Sequence, residues 1–472
     1  MKRFLTLVSC VITGFASQAQ NPNPSAEVDS YITDEMVSEN APGMSTLIVK
    51  GGEIVWVNSY GFADVSGNVQ VSDSTVFMLA SISKVFTGTA LMHLHESGAF
   101  NLDEDINNYL SFDIEVPGFE SDSITFRQLM THTASISDGA AMDGYYSNGD
   151  PTISLPDVIE RYFSTSGVDY NTNQNFSNNA PGMAYEYSNM GTALAGYMVE
   201  AVSGIDFSEY CNTHIFDELC MDNTSWYLAD FDTNDVARPY QWTGGQFVPY
   251  AHYGFADYPD GQLRSSILDL ANFLIMYLQD GAFNGQQLLS AGTLNEMLTP
   301  QVPALEATQG LNWYIEDIFL TGGETVSVWG HNGGESGVST DMYIDPTNNM
   351  GVAVISNGEG DNLYVVDELY NYGLTLSASG VGNPPCESVG ISFVNSAPSL
   401  IAYPIPASDF INVKLSSNQE VRISDTAGSI VFQRNYKQGT AVIPVTDIAP
   451  GIYLLSAKDD GGMNTHIFVI SR

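Results

Sequence analysis

At residue 399 the chain changes character, and that break restricts it to folds built from two separate bodies. Residues 4–398 carry 49 acidic side chains against six basic ones, whereas residues 399–472 carry six of each. A swing from −43 to neutral within a chain of 472 residues marks a compositional domain boundary. Just before it, residues 377–398 are rich in Gly, Pro and Ser and read as a linker. The total charge of −41 argues against nucleic acid or an anionic membrane surface as partner, since both would repel it. A hydrophobic content of 44% suffices for packed cores and excludes disorder as the main state.

The N-terminus has a different logic. Lys2-Arg3, the apolar run Phe4 to Phe15 and Ser17-Gln18-Ala19 follow the order of a signal peptide, which is expected over residues 1–19. The run is too short to span a bilayer. Export would put Cys211, Cys220 and Cys386 in an oxidising compartment. Cys211 and Cys220 are near enough for a local disulfide, and two unpaired buried thiols are the alternative. No zinc-type spacing, phosphate loop or dinucleotide fingerprint occurs, so neither metal nor cofactor is expected.

After the linker come short alternating runs: Phe410 to Leu415, Val421 to Ser424, Ile430 to Gln433, Ala441 to Val445, Ile452 to Ala457 and His466 to Ile470. Turn residues separate them, which predicts a small β-sandwich over 399–472. The segments Tyr403 to Phe410, Val421 to Gly428 and Ala449 to Leu454 make this tail resemble the C-terminal sorting domain of the type IX secretion system. Arg472 fits the basic ending of that family; Ile405 stands where the family usually has Asn. The resemblance implies export through outer-membrane secretion machinery and a secreted or cell-surface location.

In the central region, Ser45 to Val49 and Glu53 to Ser59 meet at Lys50-Gly51-Gly52 and predict a hairpin. Val338 to Ile344 and Gly351 to Ile355 predict another, and Asn362 to Tyr372 a closing helix. Helical periodicity dominates between them, at Ile82 to Ser97, Ile124 to Met130, Leu155 to Thr165, Met190 to Val202 and Ile267 to Gln279. Strands at both ends with helices between predict an α+β fold: one antiparallel sheet flanked by helices, with a helical insertion.

Three short motifs carry the chemistry. In Ser81-Ile-Ser-Lys84 the i, i+3 spacing brings a hydroxyl and an amine together on one helix face. A serine hydroxyl needs an adjacent base, and a buried lysine with a lowered pKa can serve. The helix N-terminus offers N–H groups to an oxyanion. Tyr187-Ser-Asn189 supplies a phenol for proton transfer and an amide to hold substrate or Lys84. Gly330-His-Asn-Gly-Gly334 lets a backbone approach a ligand closely, with His331 beside it. Each motif alone has an ordinary explanation: a capping Ser, a core Tyr, a turn.

Their order and spacing make residues 27–376 resemble the serine β-lactamase and penicillin-binding-protein superfamily, nearest the class C β-lactamase branch with its esterases and D-peptidases. Flanking text agrees, as in Tyr60-Gly-Phe-Ala-Asp64, Ile124 to Thr133 and Tyr258-Pro-Asp-Gly261. The resemblance implies Ser81 as acylated nucleophile and Lys84 with Tyr187 as general base and acid. It implies Asn189 as orienting group and an oxyanion hole from the N–H groups of Ser81 and Gly334, beside Gly333. His331 stands where β-lactamases usually carry Lys. His is mostly neutral at pH 7, which argues against dedicated β-lactamase action and leaves ester or D-peptide cleavage open, a carboxylate substrate included. His132 reads as structural; Glu335, beside the Gly-rich loop, reads as solvated with substrate contact as the alternative; Tyr145-Tyr146 are candidates to line the cleft that the sequence does not place.

The expected function is therefore a secreted serine hydrolase of small esters or amides, D-amino-acid peptides included. A DD-carboxypeptidase or weak β-lactamase is the first alternative. A non-hydrolytic surface protein that binds penicillin or peptide is the second.

Overall fold

The computed structural model describes residues 21–379 and, beyond them, 401–403, 410–415, 417–425, 430–446, 448–449, 451–459 and 462–470. The signal-peptide segment, linker residues 380–398 and Cys386 lie outside this range.

Gly51 and Gly52 adopt φ of +59° and +82° and close β1 (Gly43–Lys50) onto β2 (Glu53–Asp64). β3 is Val69–Gln70, β4 Tyr314–Phe319, β5 Thr325–Glu335, β6 Val338–Asp345 and β7 Met350–Ser356. The sheet order is β4-β5-β6-β7-β1-β2-β3, antiparallel throughout. N- and C-terminal halves therefore meet at the β1–β7 pair, with Leu47 opposite Ala353 and Ile48 opposite Val352. Along β1, Leu47 and Val49 join one core and Ile48 the other. Both faces are covered, which explains the unbroken apolar run there.

One face is covered by α1 (Ala26–Ser38) and the C-terminal α5 (Leu363–Thr375), through Val28, Ile32, Val366 and Leu369 against Ile48, Trp56 and Val352. The other carries α2 (Ser83–Glu96), α3 (Asn189–Ser203) and α4 (Ile267–Leu278) in the larger core. This is the expected antiparallel sheet with a helical insertion. Helix α1 and strands β4 and β5 were not foreseen. In particular, residues 330–334 form part of β5 rather than a turn before a strand. Their glycines disfavour a strand locally, but pairing along β6 from Trp329–Ile344 to Glu335–Val338 outweighs that.

Neither reading of the cysteines holds. Cys211 is a free, fully buried thiol. Cys220 is disulfide-bonded, so its partner is not Cys211. Cys211 sits among core side chains with burial pushing its thiol pKa upward, so it behaves as a small hydrophobe.

Asp341 lies buried on β6 and accepts a hydrogen bond from the Tyr343 hydroxyl at 3.1 Å. Burial raises its pKa to about 8, against the pull of that hydrogen bond. A raised carboxyl pKa means that the folded protein keeps a proton the unfolded chain releases above about pH 4. Its contribution to stability is therefore complete at low pH and lost as pH climbs toward 8. Asp341→Asn should raise the melting temperature at pH 8 while changing it little at pH 4. Equal shifts at both pH values would show that Asp341 is not neutral in the fold.

The tail forms two small antiparallel sheets. Strands 401–403, 410–415 and 439–444 make one; 430–436, 419–425, 451–459 and 462–470 make the other. Ile411, Val413, Val421, Ile423, Ile443 and Leu455 fill the space between them, as the alternating runs predict. Among the described residues no helix is long and apolar enough to cross a membrane.

Candidate active site

The turn before α2 is held from two sides. Leu79 N–H donates to the Leu263 carbonyl at 2.8 Å, and the Leu79 carbonyl accepts from Thr340 Oγ1 at 2.7 Å. Between these anchors and Ser81, Ala80 is forced to φ +48°, a left-handed conformation that costs an alanine about 1 kcal/mol. The strained residue sets Ser81 at the mouth of a single 3-10 turn, Ala80–Ile82, that runs into α2.

Lys84 follows one turn later and is fully buried. Its Nζ donates to Ser81 Oγ at 3.2 Å and to the Asp260 carbonyl at 2.7 Å. It lies 5.1 Å from the centre of the Tyr187 ring. Burial opposes the ammonium charge, but the Tyr187 oxygen and then the Asp260 carboxylate outweigh it, so the Lys84 pKa is raised. The expectation of a lysine with a lowered pKa is thereby corrected: desolvation is present but electrostatically overcompensated.

Tyr187 is 39% exposed and packs on His132, ring centres 4.5 Å apart. Burial, and then the Lys84 charge, lowers the His132 pKa to about 3. Its Nδ1 accepts the Ser188 N–H at 3.3 Å, so the neutral ring carries its proton on Nε2. His132 is thus a buried prop under Tyr187, in keeping with its structural reading. Asp138, unremarked in the sequence, caps α3: its carboxylate accepts from Ser188 Oγ and from the N–H groups of Asn189 and Met190, at 2.9 to 3.0 Å. Asn189 sits at the start of α3 beside the cleft, but its side chain makes no hydrogen bond to Lys84. The Asp260 carbonyl occupies that role.

On the opposite wall runs β5. Its Gly333 is pressed against the nucleophile turn. A Cβ there would lie 2.5 Å from the Leu79 carbonyl oxygen and 2.9 Å from Ser81 N. β5 extends past the end of β4, so its edge is free at 331–335. The Asn332 N–H points to that edge and donates to the Tyr314 hydroxyl at 3.0 Å. Strand alternation turns the Gly334 N–H to the same side. His331 is buried, and its Nδ1 bonds the Asn332 carbonyl at 2.5 Å. Burial and then Lys84 lower its pKa to about 3, so it is a neutral imidazole.

Two further acids escaped sequence reading. Asp257 precedes and Asp260 ends the buried turn Tyr258–Asp260, which is hung on α2 by Thr87 Oγ1 to the Pro259 carbonyl (2.7 Å) and by Lys84. Burial raises Asp257 to about 7, with Asp138 and Glu335 adding to the effect. Burial and Asp257 push Asp260 upward as well. Only the Tyr-Pro-Asp-Gly text hinted at the turn, and nothing local placed it on Lys84. Glu335, read as solvated, is half-buried and accepts from the Tyr146 hydroxyl at 2.8 Å. Among the described residues no group of three or more His, Cys, Asp or Glu side chains is placed to hold a metal ion.

Comparison with known proteins places the chain in a family. Residues 28–377 match the beta-lactamase family model, and residues 401–471 that of the secretion system C-terminal sorting domain. Protein flp of Staphylococcus aureus strain MW2 is 24% identical over 336 residues, 70% of this chain. The aligned part spans only 62% of that relative's length. Penicillin-binding protein 4* of Bacillus subtilis is 25% identical over 340 residues, covering 68% of this chain and 69% of its own. Among solved structures, the octameric penicillin-binding protein homologue of Pyrococcus abyssi superposes with TM-score 0.59 at 22% identity, over 94% of this chain and 96% of that one. The penicillin-binding protein of Bacillus halodurans gives 0.58 at 22%, over 75% and 100%. At these identities the structures speak for the fold alone. The family match over most of the chain, on a serine–lysine turn set against a free strand edge, makes this chain a member of the beta-lactamase family that carries a type IX secretion sorting domain at its C-terminal end.

Proposed function

We propose that the chain is a secreted or surface-displayed serine hydrolase that cleaves small esters or amides through an acyl-enzyme on Ser81. The observation that carries the reading is the 3.2 Å contact between Lys84 Nζ and Ser81 Oγ at a turn pressed against β5.

The substrate carbonyl would lie between the N–H groups of Ser81 and Gly334, which face its developing negative charge. Ser81 Oγ adds to the carbonyl carbon and its proton leaves to the Tyr187–Lys84 pair. A phenolate with an ammonium and a phenol with an amine hold the same number of protons. In the first form the Tyr187 oxygen takes the proton from Ser81, and in the second the Lys84 nitrogen does. That proton then passes to the leaving alcohol or amine as the carbonyl reforms. Water repeats the sequence on the acyl-enzyme and restores Ser81. Asn189, at the cleft edge, is suited to hold a substrate amide. Neutral His331 supplies no cation for a substrate carboxylate, which favours esters and simple amides over β-lactams and C-terminal D-peptides. The sorting tail fits use of this site outside the cell.

Mass spectrometry of the intact protein after mixing with a chromogenic short-chain ester tests the reading. Turnover with a transient acyl adduct on Ser81 is the expected result. A persistent Ser81 adduct without turnover would instead favour a binding protein that acylates and stops. Turnover without any Ser81 adduct, under trapping conditions, would count against the nucleophile.

A further inference from the structure

The acyl-enzyme reading leaves open which substrates the cleft prefers, and β5 bears on that choice. Side chains alternate along a strand, so His331, Gly333 and Glu335 share one face. Gly333 places that face against Leu79 and Ser81. Glu335 therefore projects on the nucleophile's side, roughly 7 Å farther along the strand.

The carboxylate has aromatic company. Tyr146 Oη donates to Glu335 Oε2 at 2.8 Å, and the Tyr146 ring lies 5.2 Å from that of Phe255 and 6.2 Å from that of Tyr253. Tyr253 is tied to the same strand end through its hydroxyl, 2.8 Å from the Ser336 carbonyl. Tyr146 is 49% exposed, so a ring face is open to a ligand. A carboxylate framed by tyrosine and phenylalanine rings is the donor set that recognises ammonium groups.

The surrounding charges point the same way. Among the described residues no lysine or arginine forms an ion pair with Glu335. Lys84 is occupied by Ser81 and the Asp260 carbonyl. Asp138 lies across the cleft at the start of α3. The excess of 49 acids over six bases in residues 4–398 draws cations from a distance.

We propose that this cleft selects substrates bearing a primary or quaternary ammonium group close to the scissile bond, with Glu335 and the Tyr146 ring as the cation-binding subsite. The proposal rests on the serine hydrolase reading above. It is tested with three para-nitrophenyl esters: of gamma-trimethylammoniobutyrate, of its isostere with the nitrogen replaced by carbon, and of glutarate. The cationic ester should exceed its neutral isostere in kcat/KM by on the order of tenfold at low salt. The glutarate ester should be the poorest. Added salt should shrink the cationic preference in the unmodified protein, which checks the idea without any variant. Glu335→Gln should bring the cationic-to-neutral ratio close to one, and Tyr146→Ala should lower it. A ratio of one or less in the unmodified protein, or one unchanged in Glu335→Gln, overturns the proposal while the neutral ester still reports hydrolysis. No turnover of any ester and no Ser81 adduct would overturn the hydrolase reading and this proposal with it.

Discussion

Replacing Ser81 by alanine is expected to lower kcat for a short-chain ester by about 10,000-fold or more, with the fold left in place. Removal of a nucleophile leaves only the binding site and oxyanion donors to assist water. The structural cost is small because Ser81 lies at the cleft and its Oγ accepts one hydrogen bond, from Lys84. Losing such a bond costs about 1 kcal/mol. Circular dichroism and the melting temperature should therefore stay near those of the unmodified protein, and the acyl adduct should vanish. Activity within tenfold of the original would place the nucleophile elsewhere.

The second large effect is expected at Lys84. Lys84→Met keeps the apolar stem and removes the charge. A fall of about 1,000-fold in kcat should follow, since the ammonium holds Ser81 and stabilises negative charge arising beside it. Stability should move far less. The variant leaves the buried Asp260 carbonyl without its donor, which costs about 1–3 kcal/mol. It also relieves the desolvation of a fully buried ammonium, which offsets that loss. The decisive comparison is the acylation rate, read as the first appearance of the Ser81 adduct, against melting temperature. A variant that melts much earlier but acylates normally while folded would make Lys84 a structural residue and leave the proton transfer to Tyr187 alone.

These two residues also show why the site was partly readable in advance. Ser81 and Lys84 are three apart, and the helix brings them together by its own geometry. A raised rather than lowered Lys84 pKa could not be read in the same way. It depends on Tyr187, on Asp260 and on Asp138, which stand far along the chain. The glycines at 330–334 signalled close backbone approach. That the approach is made by an extended strand, with Gly333 against Ser81 N, follows from pairing with β6. The two readings of Glu335 stayed open in the sequence for the same reason: its environment is built by Tyr146, 189 residues earlier.

Much of the fold obeys the same division. Local pattern determined the hairpin at Gly51-Gly52, the helices beginning near Ile82, Met190 and Ile267, the alternating strands of the tail and the charge break at 399. Each of these is a preference of neighbouring residues, expressed through periodicity 2 or 3.6 or through turn chemistry. Tertiary structure alone decided that β5 is a strand and that Cys211 and Cys220 are not paired. It alone decided that Ala80 is held in a left-handed bend by Thr340, whose hydroxyl binds the Leu79 carbonyl 261 residues earlier, and that Lys84 bonds a carbonyl 176 residues away. The physical reason is that these features are set by groups brought together only when the sheet closes. Spacing along the chain carries the helix and the turn, but the energy of a buried charge or a strained dihedral belongs to its surroundings.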